Sequence, residues 1–171
     1  MDRAYYIDVA LKMYEKCGIV LNETEKANIE LADFALHNFE KEGLILVTYI
    51  NNNRYCAKEM VLLPRQTCAE HRHPALSASN PGKQETFRCR MGTVYLYVEG
   101  EKTEHPACQP PKGSDCYTVF HEIKLEPGEQ YTIMPNTLHW FQSGDKGAVI
   151  SEFSSTSDDA SDIFTDKNII R

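Results

Sequence analysis

No run in this 171-residue chain is apolar for long enough to cross a bilayer, which takes about 20 consecutive, mostly apolar residues in a helix. The opening MDRAYYIDVALKMY also lacks the apolar stretch of a secretory leader, so a cytoplasmic location is expected. Positive charge is in deficit: 18 Lys and Arg against 25 Asp and Glu leave a formal net charge of −7. Phosphate backbones and anionic headgroups both select basic faces, so nucleic acid and membrane surfaces are excluded as expected partners. The six cysteines (17, 56, 68, 89, 108, 116) show no CxxC spacing and, without a leader, read as reduced thiols rather than three disulfides. Neither a repeat nor a linker interrupts the chain, which is long enough for one sizeable core and short for two. One domain over residues 1–171 is expected: helices over 1–43, a barrel over 44–155 and a docked tail over 156–171.

The first forty residues carry a helical period. Ala4, Ile7, Leu11 and Tyr14 form one stripe, with Gly18 as a stop. A second helix is expected from Asn22, with Glu25 as capping-box partner. Ile29, Ala32, Leu36 and Phe39 would make its buried face and Gly43 its end. His37 would then lie on this helix as a solvated or capping residue. After Gly43 the texture changes to short runs rich in β-branched and aromatic residues: LILVTYI, RYCAKEMVLL, TCAEHRH, ETFRCR, TVYLYVE, CYTVFHEIKL, QYTIM, HWFQ and AVISEFSS. Turn residues separate them, and residues 100–115 read as a long loop. About nine strands without intervening helices predict an all-β sandwich or jelly-roll barrel, with the two N-terminal helices packed against it.

His71 and His73 lie two apart on a predicted strand, so both imidazoles can face one cavity. Glu85 opens the strand after the SASNPGK turn, and His139 follows PNTL at the start of a later strand. Three imidazoles and a carboxylate suit Mn²⁺, Fe²⁺, Co²⁺, Ni²⁺ or Zn²⁺ and not the softer Cu(I). An HxH pair alone is common on protein surfaces; its combination with Glu85, Gly92 and the Pro135-to-His139 element is what gives it weight.

That combination resembles the two motifs of the cupin superfamily: His71, His73, Glu85 and Gly92 in the first, Gly128-Glu129, Pro135 and His139 in the second. Eleven residues separate His73 from Glu85 where three or four are usual, so the turn between them is an insertion at the cavity mouth. Thr137 stands where a Gly is common. The segments HRHP, NPGKQETFRCRMGTVYLYVEGE, MPNTLHWFQSG and ISEFSS…DDASDIFTD are more specific. They resemble the bacterial D-lyxose isomerase family, manganese-dependent cupins that interconvert D-lyxose and D-xylulose. The resemblance implies a monosaccharide substrate, with the D-mannose/D-fructose pair as a second expectation, and a homodimer. It also implies Mn²⁺ held by His71, His73, Glu85 and His139, with Co²⁺, Fe²⁺, Ni²⁺ or Zn²⁺ compatible, and Lys83 and Glu152 as acid/base residues.

The residues themselves agree in part. Lys83 lies two residues from Glu85, on the same strand face, and a neighbouring cation there would lower its pKa. Glu152 shares a face with Ile150 and Ser154, which favours an inward position. Trp140, Phe141, Asp162 and Phe164 are further candidates for lining the substrate pocket, while His105 and His121 read as structural. Two rival classes use the same barrel: an Fe²⁺-dependent dioxygenase, in which the Glu is often dropped, and a non-catalytic sugar-binding cupin.

Overall fold

The Asp2 carboxylate accepts from the backbone N–H of Tyr5 at 3.2 Å and caps α1, Arg3–Lys16. In this computed structural model, which describes residues 2–113 and 115–171, Asn22 and Glu25 close the expected capping box at the start of α2. There the second helix departs from expectation, because α2 covers only Glu23–Ala27. Ile29 and Leu31 turn to the packing under the helices while Ala32 turns to the barrel core, an alternation that makes a strand, β1 (Glu30–Ala32). Phe34, Ala35 and His37 then take left-handed backbone conformations, at φ 55°, 57° and 53°. Residues 29–39 therefore carry an apolar spacing that fits a helix but serves two separate packing layers.

The remaining strands are β2 (Leu44–Asn51), β3 (Cys56–Leu62), β4 (Thr67–Arg72), β5 (Glu85–Val98), β6 (His121–Leu125), β7 (Gln130–Ile133), β8 (His139–Ser154) and β9 (Ile163–Phe164). The expected runs ETFRCR and TVYLYVE are one strand, β5, and HWFQ and AVISEFSS are one strand, β8. CYTVFHEIKL is extended only in its second half. Ser114, inside the expected loop, lies outside the described residues. β5 and β8 run antiparallel along their length and carry the barrel. The start of β5 and the end of β8 join β7 and β3, with β2 and β1 beyond. The end of β5 and the start of β8 join β6 and β4, with β9 beyond.

The two halves are joined where the β5–β8 register shifts, between Cys89 and Val94. Gly92 sits there at φ +76°, and a Cβ on it would lie 2.0 Å from the carbonyl oxygen of Gly147. This close backbone approach is why the motif holds a glycine. Gly92→Ala is expected to destabilise the fold by about 3 kcal/mol, from left-handed strain plus a clash with backbone that cannot rotate away. Urea denaturation would measure it, and a change below about 1 kcal/mol would show that the strand pair relaxes.

Between the halves lies the main core, including Leu46, Met60, Leu62, Phe87, Cys89, Leu96, Phe141 and Ile150. α1 lies on the outside of the sheet through Tyr6, Ala10, Met13 and Tyr14, packed with Ile45, Val47, Val61 and Val149. This face is rotated from the expected stripe, since Ile7 and Leu11 are only partly buried. The Tyr14 hydroxyl donates to the Glu59 carbonyl at 2.9 Å and the Tyr6 hydroxyl to Glu40 at 2.8 Å, satisfying both hydroxyls of the stripe. All six cysteines are free thiols.

Candidate active site

Register brings the histidines together. His71 pairs across the sheet with His139, and His73 follows β4 by one residue. The ring nitrogens His71, His73 and His139 offer lie within 4.8 Å of one another, and all three residues are buried. Glu85, at the head of β5, places Oε1 3.1 Å from Nε2 of both His73 and His139.

The outward nitrogens fix the tautomers. His71 Nδ1 faces the Ala69 carbonyl at 2.8 Å and His139 Nδ1 faces the Thr137 carbonyl at 3.0 Å. A carbonyl can only accept, so both Nδ1 atoms carry the proton and both Nε2 lone pairs point inward. His139 Nε2 is buried and makes no hydrogen bond, although a carboxylate oxygen lies close by. Facing acceptors of this kind are costly unless a cation sits among them. Oriented imidazoles with their second nitrogens tied down are also what metal sites use. The cluster therefore fits a divalent ion, and its donor set fits the borderline metals expected from the sequence.

Electrostatics divide the cluster, since a metal would meet His71 neutral but would displace a proton from His73. Burial, then the neighbouring imidazoles, push His71 well below the usual histidine range, so it is neutral. Burial alone would lower His73 too, but Glu85 and Asp162 outweigh it and raise His73 to about 9. Glu85 is held well below the carboxylate range because Lys83 and the imidazoles overcome its desolvation.

Lys83 bridges two carboxylates, 2.6 Å from Glu85 Oε2 and 2.6 Å from Glu152 Oε1. The turn delivers it: Gly82, at φ +102°, packs so tightly that a Cβ would lie 2.5 Å from the His73 carbonyl oxygen. Burial disfavours the Lys83 ammonium, but the two carboxylates reverse this and hold it above the usual lysine range. The expected lowering is thus opposed by the ion pairs present. Glu152 also accepts from the Ser154 hydroxyl at 3.0 Å. It lies across the sheet from Phe87 on one side and Lys58 on the other, facing the barrel interior.

One cavity joins these groups, with about 440 Å³ of free space including its mouth. Its lining includes His71, His73, Lys83, Glu85 and Glu152, with Phe141, Asp162 and Phe164 as expected. Trp140 is a correction. Alternation along β8 turns His139 and Phe141 inward and Trp140 outward, where it stacks on Tyr97 at 4.0 Å and donates to the Val119 carbonyl. His105 is exposed, and His121 bonds to the Glu101 carbonyl away from the site.

Lys58, Asp159 and Arg171 line the same cavity and were not singled out from the sequence. Lys58 Nζ reaches both Asp159 oxygens at 3.0 Å, and Arg171 bonds to Asp159 and Glu30. A lysine alternating with Cys56, Met60 and Leu62 on β3 was the available signal. Asp159 opens a single 3-10 turn (Asp159–Ser161) and Arg171 ends the chain, and neither left one.

A barrel of this topology, enclosing a buried histidine cluster able to hold a metal, is a cupin. The D-lyxose isomerase family model matches residues 13–171. The chain is 64% identical over 168 residues to the D-lyxose/D-mannose isomerase of Thermosediminibacter oceani, covering 96% of this chain and 92% of that protein. It is 57% identical over 165 residues to the D-lyxose ketol-isomerase of Cohnella laeviribosi, covering 96% and 90%. Among solved structures, the L-ribose isomerase of Cellulomonas parahominis with L-ribose superposes with a TM-score of 0.79 at 13% identity, covering 96% of this chain and 91% of that one. The chain belongs to the D-lyxose isomerase family. Among the described residues, no helix is long and apolar enough to cross a membrane.

Proposed function

We propose that this protein is a metal-dependent aldose–ketose isomerase that interconverts D-lyxose and D-xylulose, and also D-mannose and D-fructose, through a cis-enediol. The observation that carries the reading is the Lys83 ammonium held between Glu85, beside the histidine cluster, and Glu152, inside one cavity. The relatives' names support the substrate class. His71, His73, Glu85 and His139 would hold the ion, with Mn²⁺ the expected metal. Bound there, a divalent ion would polarise the sugar carbonyl and stabilise developing negative charge on its oxygens.

The chain's own groups account for the protons. Glu152 takes the proton from C2, and the C–H electrons form the C1–C2 double bond. Lys83, held protonated by its two carboxylates, gives a proton to O1 as the carbonyl opens. The O2 proton then returns to Lys83 and Glu152 delivers its proton to C1, leaving the ketone at C2. Phe87, Phe141 and Phe164 line the cavity and exclude water from the open-chain sugar. We read residues 1–171 as one cupin unit, cytoplasmic and homodimeric.

Mn²⁺-loaded protein incubated with D-lyxose or D-mannose should yield the matching ketose. Absence of ketose from both sugars would overturn the reading, and oxygen uptake with a thiol or phenol would favour the dioxygenase class instead.

A further inference from the structure

The three histidines are not oriented alike. His71 and His139 are each fixed by a carbonyl two residues back in the chain, Ala69 and Thr137. His73 is fixed by a side chain 89 residues away, Asp162 in the tail, whose Oδ1 meets Nδ1 at 2.5 Å. β9 sets this up. His71 pairs with Phe164 and Arg72 with Ile163, and one more step of that antiparallel register sets His73 against Asp162. Both side chains of the pair are buried. The same tail segment makes further contacts around the cluster. The Phe164 ring stacks on His71 at 5.2 Å between centroids. Thr165 donates its N–H to the Glu70 carbonyl at 3.0 Å and its hydroxyl to the Glu70 carboxylate at 2.7 Å.

We infer that Asp162 is a positioning residue, not a substrate contact, and that through His73 it couples occupation of the metal site to docking of the tail over residues 155–171. The inference rests on the reading of the histidine cluster as a metal site. Two imidazoles are preset whatever the tail does, while the third is oriented by Asp162, whose carboxylate accepts from Nδ1–H and keeps the proton on that nitrogen. An undocked tail leaves His73 free to rotate its lone pair away. By reciprocity, whatever factor the docked tail adds to metal affinity, the bound metal returns to tail docking. Loss of such a carboxylate behind a ligating histidine typically weakens metal binding 10- to 100-fold.

The test uses Mn²⁺ alone, with no sugar. In the wild type, hydrogen exchange across residues 155–171 should slow when Mn²⁺ is added. Asp162→Ala should bind Mn²⁺ 10- to 100-fold more weakly and lose that metal-dependent protection. Asp162→Asn keeps an acceptor for Nδ1–H without the charge and should fall between the two. A wild-type tail indifferent to Mn²⁺, or Asp162→Ala affinity within twofold of wild type, overturns the inference. If Asp162→Ala fails to fold, the wild-type exchange experiment decides alone. Failure of the isomerase reading would appear in the ketose assay and leave this result standing.

Discussion

Glu152→Gln is expected to lower kcat for isomerisation about 10³-fold while Mn²⁺ binding stays within a few-fold of wild type. Glutamine keeps the shape and an acceptor oxygen, so the contacts from Lys83 and the Ser154 hydroxyl can persist. It loses the basicity needed to remove a proton from carbon, and general bases contribute about 10²–10⁴. Metal uptake is spared because the contacts of Glu152 are to Lys83 and Ser154, not to the imidazoles. Ketose formation in D₂O sharpens the test. Solvent deuterium enters C1 only by proton transfer through an enediol, to the extent that Glu152 exchanges its proton before returning it, and never by a hydride shift. Deuterium at C1 would rule out the hydride shift, and a Glu152→Gln enzyme within threefold of wild type would sink the role given to Glu152.

The barrel and the histidine cluster were legible because both rest on short-range rules. Strand alternation put His71 and His73 on one face, and the same alternation gave Glu152 its inward position beside Ile150. Glu85 came from the cupin motif and Lys83 from the family resemblance, with their two-residue spacing in support. With His139 read as a ligand, alternation already turns Phe141 inward and Trp140 outward, so that distinction was legible as well. What stayed hidden depends on long-range packing. The Ile29–Phe39 spacing fits a helix, yet those residues serve two layers, and only the folded sheet reveals this. Asp162 drew attention only as a pocket candidate, since its partner lies across a β4–β9 pairing that begins 89 residues away in sequence. Asp159 and Arg171 sit in chain without periodicity, so no pattern pointed to the ion pairs they make at the cavity wall.

Lys83→Met is expected to damage stability as well as activity, and to do so in a pH-dependent way. Methionine fills similar volume but removes the ammonium that pairs with both Glu85 and Glu152, whose side chains are 2% and 4% exposed; Glu85 keeps His73 beside it, while Glu152 is left with the Ser154 hydroxyl. Breaking a buried pair leaves uncompensated charge and typically costs about 3–5 kcal/mol. For a domain of this size that is a fall in Tm on the order of 10 °C. A carboxylate orphaned in this way can escape the cost by taking up a proton, which raises its folded pKa above the unfolded one. A group raised in this way destabilises the fold only where it is ionised. The deficit relative to wild type should therefore be large at pH 7 and shrink as the pH falls toward 5. Added Mn²⁺ should restore part of the stability, because Glu85 then has a divalent cation beside it. Activity would not return with it, since the group that exchanges protons with O1 and O2 is gone. Thermal unfolding at several pH values, with and without Mn²⁺ and paired with the ketose assay, separates these effects. A Lys83→Met protein as stable as wild type at pH 7 would mean that solvent already screens the two carboxylates. Recovery of turnover with Mn²⁺ would mean that the proton shuttle is another group.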